Sequence, residues 1–465
     1  MLSTGWKLRS STGGFRFSRN ATSWRRRGLL TLAIESSADD TAVAIVETQK
    51  DDENRPLAQV HFHEKITANN NEWKGIHPRN SAISHQTELP GLIRRALRCL
   101  PKAGKGDRNS INFADASGPF RKPTFITATR GPGMRGGLST GLDMAKGLCL
   151  AFDVPFIGAH HMQAHALTPR LISALAMPPR IPLAPAFPFR SLLISGGHSL
   201  LVNSKSLTEF DEEISTKTSA AGTCIDKMAK YILPESLIEA HSINTNYGAA
   251  LEVFAFPNGE TDYDYTPPKT REELLQPSKS VYGWAVPSPL QNDARHEFSF
   301  TGIDSSVRKI VLQGSAKLSE THDQPRQTPI GMEERVELAR EAQRVLFEHI
   351  ADRIHIVLKP GSQLPDGTPN QAVNSSVQRM VVSGGVASNK YFRHVLHKFF
   401  MSKNTNIEFI FPPVEMCTDN ALMIAWAGIE MWEAGWRSRV DCTAENRWQL
   451  GNGGLMGIGG WEKVV

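Results

Sequence analysis

Three times along this chain a short apolar run breaks into a turn of glycine and serine. Thr124–Ala128 leads into TRGPGMRGGLSTG, Ser191–Ile194 into SGGHS, and Met380–Val382 into SGGVASN. After the first, Ser139–Phe152 carries Leu142, Ala145, Leu148 and Cys149 at helical spacing. Leu29–Glu35 reads as a buried strand and Thr41–Glu47 (TAVAIVE) as its hairpin partner, with a helix expected around Ser84–Cys99 and a further strand at Val154–Gly158. Strands alternating with helices through glycine turns predict an α/β fold. Such turns expose backbone N–H groups that can hold phosphate. None matches G-x-x-x-x-G-K-[ST] or G-x-G-x-x-G, so P-loop and Rossmann readings fail. Each turn alone reads more readily as an ordinary tight turn, whereas three together point to a nucleotide gripped between two lobes.

At 465 residues, with 40% hydrophobic and 21% charged, the chain is long enough for two or three domains and too apolar for wholesale disorder. No run approaches the ~18–20 apolar residues of a membrane span, so no membrane association is expected. Five scattered cysteines without a C-x-x-C pair offer neither a disulfide framework nor a thiolate zinc site. The net charge of +5 is unevenly spread. Lys7, Arg9, Arg16, Arg19, Arg25, Arg26 and Arg27 all precede Leu30, and no acid accompanies them. Setting these seven aside leaves 45 basic residues against 47 acidic ones. The leader is Arg-rich, Ser-rich and acid-free, the composition of a mitochondrial transit peptide, so residues 1–29 are expected to direct the chain to the matrix.

His161 and His165 in HHMQAHAL are four apart, which on a helix stacks two imidazoles on one face, as for two ligands sharing a metal. A pair of structural histidines satisfies the same spacing. The zinc-protease pattern H-E-x-x-H is broken, because Met162 stands where its general-base glutamate belongs. Asp39 and Asp40 sit in a turn after the first strand, Asp226 opens an apparent helix, and Asp419 can be a helix cap or a ligand.

AIESSADDTAVAIV, TRGPGMRGGLSTGLDMAKGL, HHMQAHAL, LLISGGHSLLV, FSFTGI, VVSGGVASN and CTDNALMIAWAG resemble, in order, the signature blocks of the TsaD-type family of tRNA threonylcarbamoyladenosine synthases, and with the leader the chain resembles the mitochondrial type. The resemblance implies an actin-like (ASKHA) two-lobed α/β fold with the ligand in the inter-lobe cleft. Residues 30–170 would form the first lobe, 171–190 a Pro-rich linker, 191–450 the second lobe and 451–465 a tail. It implies transfer of threonylcarbamoyl from threonylcarbamoyl-AMP, made by a separate synthase, to adenosine 37 of mitochondrial tRNAs reading codons that begin with adenine. One divalent metal, zinc or iron, would be held by His161, His165 and Asp419, stitching the lobes together. Leu193, Ile194, Ser195, Gly196, Gly197, Asp226, Gly248 and Asn389 would hold the adenylate, and Asp39 would stand at the reacting group. A homodimer is expected.

Departures from the family pattern are Ala38 for cysteine, Asp40 and Gln163 for glutamate, Arg79 for glutamate and Asp304 for lysine. The segment Ser236–Asn246 also lacks the expected Pro-Gly-Gly before Gly248. Arg94, Arg95, Arg98, Lys102, Lys105 and Arg108 form the strongest local basic patch for tRNA, or else a solvated helix face. Rival readings are an actin-like ATPase or small-molecule kinase, which needs no histidine pair, and a non-catalytic tRNA-binding scaffold.

Overall fold

The computed structural model describes residues 28–464 except 51–55, 74, 105, 115–116, 177–182, 217, 242–246, 292–294, 315–325, 327, 360–377, 406 and 452. The Arg-rich leader, but for its last two residues, lies outside the described residues, as does nearly all of 359–377. The chain divides into two compact units. Residues up to 186, with 207–209 and 419 onward, make the first; 187–206 and 210–418 make the second.

In the first unit β1 (Leu29–Glu35), β2 (Asp40–Lys50) and β3 (Pro56–Thr67) form an antiparallel meander. α1 (Pro78–Leu97) follows, then a small hairpin of β4 (Ser110–Ile111) and β5 (Phe120–Arg121). β6 (Phe125–Gly131) runs parallel to β1, α2 (Arg135–Phe152) crosses over, β7 (Phe156–His160) lies parallel to β6, and α3 (His161–Leu175) leaves it. β1 and β2 are buried almost throughout. A strand covered on both faces reads as a continuous apolar run rather than an alternating one. Leu30, Leu32 and Ile34 share one core with Leu89 and Leu92 of α1 and Leu142 and Ala145 of α2.

The second unit repeats the plan. β8 (Phe189–Ile194), β9 (Ser199–Ser204) and β10 (Phe210–Thr216) form its meander. Helices α4 (Ala221–Ile232), α5 (Glu235–His241), α6 (Tyr247–Ala255) and α7 (Arg271–Leu275), strand β11 (Glu297–Phe298), and helices α8 (Thr301–Gln313) and α9 (Met332–Val357) follow. β12 (Gln378–Ser383) runs parallel to β8, α10 (Lys390–Ser402) crosses over, β13 (Ile407–Ile410) joins parallel, and α11 (Val414–Cys417) ends the unit. The sheet order is β11-β10-β9-β8-β12-β13. Leu192, Ile194, Met228, Leu346, Val382 and Phe392 lie at its core.

At Asp419 the chain re-enters the first unit through α12 (Ala421–Glu433), β14 (Trp436–Ser438), α13 (Gly454–Gly457) and β15 (Trp461–Lys463), completing the order β15-β14-β7-β6-β1-β2-β3. This differs from the boundaries read in the sequence. The second unit stops at 418 rather than 450, the expected tail supplies the edge strand β15, and the 171–190 linker loses its ends to α3 and β8. The reason is α12. Ala421 to Met431 are all buried and all but Glu430 are uncharged, so this helix is covered on every side and needs the first sheet beneath it. It packs so closely that a Cβ on Gly428 would fall 2.3 Å from Thr127 Oγ1.

Both sheets share one grammar, β3-β2-β1-β6-β7 and β10-β9-β8-β12-β13, each a meander followed by two parallel crossovers. The recurring strand-then-glycine element is the sequence trace of that duplication, and the α/β, two-unit class holds. Among the described residues no helix is long and apolar enough to cross a membrane.

Candidate metal centre

The step from β7 to α3 spends one histidine on the fold and frees two. His160 caps the helix: its Nδ1 accepts from Met162 N at 3.1 Å and Gln163 N at 3.3 Å, and its Nε2 donates to the Trp448 carbonyl at 3.1 Å. His161 and His165 follow on one face of α3, both buried, with ring centroids 4.7 Å apart. Asp419 meets them, its Oδ1 lying 3.2 Å from His165 Nε2 and 3.5 Å from His161 Nε2. Capping does not explain Asp419, because Asn420 caps α12 by accepting from Met423 N at 3.0 Å.

The donor set suits a small cation. Metal–ligand bonds of about 2.0–2.2 Å at tetrahedral angles place donor atoms roughly 3.3–3.6 Å apart. Of the Asp419–histidine spacings, 3.5 Å falls in that range and 3.2 Å just short of it, and all three donor atoms lie within 4.8 Å of one another. Two imidazoles and a carboxylate are ligands for zinc or iron that leave positions open for substrate. All three residues belong to the first unit, which corrects the expectation that the site would stitch two lobes together. Asp419 is the residue on which the chain returns.

The glycine stretches divide by role. In Gly131–Gly141 the glycines let α2 run against the turn after β1. A Cβ on Gly133 would lie 2.6 Å from Ser37 O, on Gly137 2.4 Å from Ser36 O, and on Gly141 2.2 Å from Ser36 Oγ. At Gly133, Gly137 and Gly141 the missing side chain serves close packing against the acidic turn. In SGGHS the picture is open. Leu193 and Ile194 are buried at the end of β8, Ser195 turns the chain, and Gly196 and Gly197 are exposed. A Cβ on either glycine would meet nothing within 4 Å. Gly222 seats α4 against that turn, 2.8 Å separating its would-be Cβ from Ser195 O. In SGGVASN, Gly384 (φ +97°) passes the Ile194 backbone where no side chain fits, its Cβ falling 2.3 Å from Ile194 O.

Asn389 is occupied within the protein. Its Oδ1 accepts from Phe392 N at 2.8 Å and its Nδ2 donates to Gln343 Oε1 at 3.2 Å, while Glu252 takes the next two amides of α10. Asp226 Oδ1 accepts from Gly248 N at 3.1 Å, so these two are brought together. Burial, against the pull of Lys230 and the Gly248 N–H, pushes the Asp226 carboxyl up to about 6. A group held against its charge marks a candidate site. The folded chain keeps that proton longer than the unfolded one, where aspartate titrates near 3.8. Ionising Asp226 therefore costs stability as pH rises from about 4 to about 6. Asp226→Asn keeps an oxygen for Gly248 and should gain on the wild type by on the order of 2 kcal/mol between pH 4 and pH 7 in urea denaturation. A difference independent of pH would contradict this reading.

The profile of the TsaD family, described as tRNA N6-adenosine threonylcarbamoyltransferase, matches residues 59–426. The chain belongs to the TsaD family. The mitochondrial tRNA N6-adenosine threonylcarbamoyltransferase of Schizosaccharomyces pombe is 30% identical over 446 residues, covering 94% of this chain and 89% of that protein. The Brucella anthropi tRNA N6-adenosine threonylcarbamoyltransferase is 29% identical over 420 residues, covering 90% and 94%. Among solved structures, full-length HypF in its phosphate- and nucleotide-bound form aligns over 88% of this chain and 56% of its own at 10% identity, with a TM-score of 0.41. TsaD membership makes the chain a transferase and disposes of the protease suggested by two histidines one turn apart.

Around the TsaD histidines the electrostatics are sharply set. Burial works against a cation at His161, but the carboxylates of Asp419 and Glu35 outweigh it and hold the imidazolium up to about 10. Burial likewise opposes charge on Asp419, yet His161 and His165 keep its carboxyl well below the usual range. Glu35 escaped the sequence reading. It is an acid closing an otherwise apolar strand, and that incongruity was the available signal.

Asp39 and Asp40 part company. Asp40 is tied to Lys65 Nζ at 2.7 Å and to Thr67 Oγ1 at 2.5 Å. Asp39, buried, receives a long bond from Asn70 Nδ2 at 3.4 Å, and burial, with Asp40 and Asp419 nearby, pushes its carboxyl up to about 7. The basic patch is partly drawn into the fold. Arg95 pairs with Glu64 at 2.7 Å, Arg98 lies 4.1 Å over Phe113 and Lys102 3.7 Å over Phe120, while Lys105 lies outside the described residues.

Proposed function

We propose that this chain transfers a threonylcarbamoyl group from threonylcarbamoyl-AMP to the exocyclic amine of adenosine 37 in mitochondrial tRNAs reading codons that begin with adenine. The observation that carries the reading is the His161–His165–Asp419 group at metal-ligand spacing in a TsaD-family chain. A separate synthase supplies the adenylate, so the acyl group arrives activated. The amine nitrogen bonds to the carbamoyl carbon, the bond from that carbon to the adenylate phosphate oxygen breaks, and AMP leaves with the electron pair while the amine loses a proton. A divalent ion, zinc or iron, would supply a Lewis acid that eases the phosphate charge or polarises the carbonyl.

The chain's own residues position and orient. His161, His165 and Asp419 hold the ion; Asp39 stands at the reacting group with a carboxyl poised near neutral pH. In the second unit the open Ser195–Gly197 turn at the end of Leu193–Ile194 offers backbone N–H groups to the adenylate. Asp226, bonded to Gly248 N, offers an acceptor to ribose hydroxyls, and Gly248 and Asn389 join it in holding the adenylate. Orientation of two bound reactants is the chief source of rate for such a step. The protein works as a homodimer in the mitochondrial matrix, directed there by residues 1–29.

The test is to incubate the protein with threonylcarbamoyl-AMP labelled in its threonine and an unmodified tRNA. Label should enter the tRNA with one AMP released per transfer and no ATP consumed. ATP turnover without label in tRNA would mean a kinase or ATPase instead. Deleting residues 1–29 should leave transfer intact and the protein cytosolic, and efficient mitochondrial uptake of the deletion, followed by fractionation, would remove the targeting role.

A further inference from the structure

Glu35 ends β1 and none of it reaches solvent. A carboxylate that deep requires a compensating partner. Among the described residues the basic group in ion-pair contact with it is the His161 imidazole, Nδ1 lying 3.4 Å from Glu35 Oε2. Its other bonds hold it in one pose: Ser37 N donates to Oε1 at 2.7 Å and the Thr129 hydroxyl donates to Oε2. The His161 ring is thus addressed from both sides, Nδ1 by Glu35 and Nε2 by Asp419 at 3.5 Å.

We propose that Glu35 is a positioning residue for the metal centre, accepting a hydrogen bond from His161 Nδ1–H so that the Nε2 lone pair faces the ion. The inference rests on the metal reading above. Ser37 Oγ, 3.2 Å from the same nitrogen, is the rival acceptor. A hydroxyl rotates and donates as readily as it accepts, so it selects no tautomer, whereas an ionised carboxylate only accepts. Histidine ligands backed by a carboxylate are oriented and made more basic, and losing such a partner costs 10–100-fold in metal affinity.

The experiment measures zinc affinity of the full chain by competition with a chromophoric chelator, and the visible spectrum of the cobalt-substituted protein. Glu35→Ala should weaken zinc binding about 10–100-fold and shift the cobalt bands. Glu35→Gln, which keeps the shape and loses the charge, should weaken it about tenfold at an unchanged melting temperature of the metal-free protein. It carries the test if the alanine variant does not fold. Ser37→Ala should stay within about threefold of wild type. Glu35 variants binding zinc as tightly as a wild type that holds one ion per chain would overturn the proposal, as would a Ser37→Ala variant that alone reproduces the loss. A wild type that binds no zinc, cobalt or iron would overturn the metal reading itself, a distinct result.

Discussion

Replacing His165 by alanine should lower metal affinity by at least 100-fold and reduce threonylcarbamoyl transfer below detection, with the fold intact. His161 and Asp419 would remain, and two ligands do not hold a zinc or ferrous ion against the exchange that three permit. The fold survives because α3 is anchored by other means: His160 caps it, and Met162, Ala164, Ala166, Leu167 and Leu171 are buried along it. Alanine is also the best helix former, so the substitution costs packing rather than backbone. Elemental analysis after gel filtration reads the metal, and a melting curve of the metal-free protein reads the fold. A variant that keeps one ion per chain and full transfer would return His165 to an ordinary core histidine.

Gly137→Ala should destabilise the protein by about 1–3 kcal/mol, the usual scale for forcing a methyl into a packed site. In an exposed helix position the same change stabilises by up to about 1 kcal/mol, so the sign rests on the neighbours. A Cβ on Gly137 would stand 2.4 Å from the Ser36 carbonyl oxygen and 2.8 Å from His85 Nε2. The carbonyl is backbone and cannot swing aside. His85 cannot either, since its Nδ1 bonds Thr41 Oγ1 at 2.7 Å and its Nε2 donates to Ala38 O at 3.0 Å. The strain therefore passes into the Ser36–Asp40 turn, and transfer should fall at least 100-fold through displacement of Asp39. Gly147 on the same helix is the control: nothing lies within 4 Å of its would-be Cβ, so Gly147→Ala should leave stability equal or raised. Urea denaturation of the two variants decides, and a Gly137→Ala protein as stable as Gly147→Ala would refute the packing account.

What could be read in the sequence was what burial writes into it. β1 was legible to its ends because a strand covered on both faces is a largely apolar run, and the histidine pair because helical spacing shows in the chain. Helix starts were less legible. α1 begins at Pro78 and α2 at Arg135, both ahead of their apolar periodicity, since their first turns are polar or glycine-rich. Pro78 just inside the start of α1 was the overlooked signal. Glycine carries no record of its neighbour. GPGMRGG and SGGHS look alike as sequence, yet one lies against a backbone carbonyl and the other against open space. Asp419 posed the same difficulty, because nothing in CTDNALMIAWAG says which unit the chain has re-entered. Glu35 showed in the sequence only as a lone acid at the end of β1, and its partner did not show, because that pairing lies in the fold-dependent approach of β1 to the start of α3.

The most direct measurement compares transfer by metal-stripped and reloaded wild-type protein, using threonylcarbamoyl-AMP, unmodified tRNA and mass spectrometry of the nucleoside from position 37. The stripped protein should leave adenosine unmodified, and restoring one equivalent of zinc or iron should yield the threonylcarbamoyl derivative, while reloading the His165→Ala variant should restore nothing. Full modification by protein shown to contain no metal would contradict the assignment of His161, His165 and Asp419 as the centre of this enzyme.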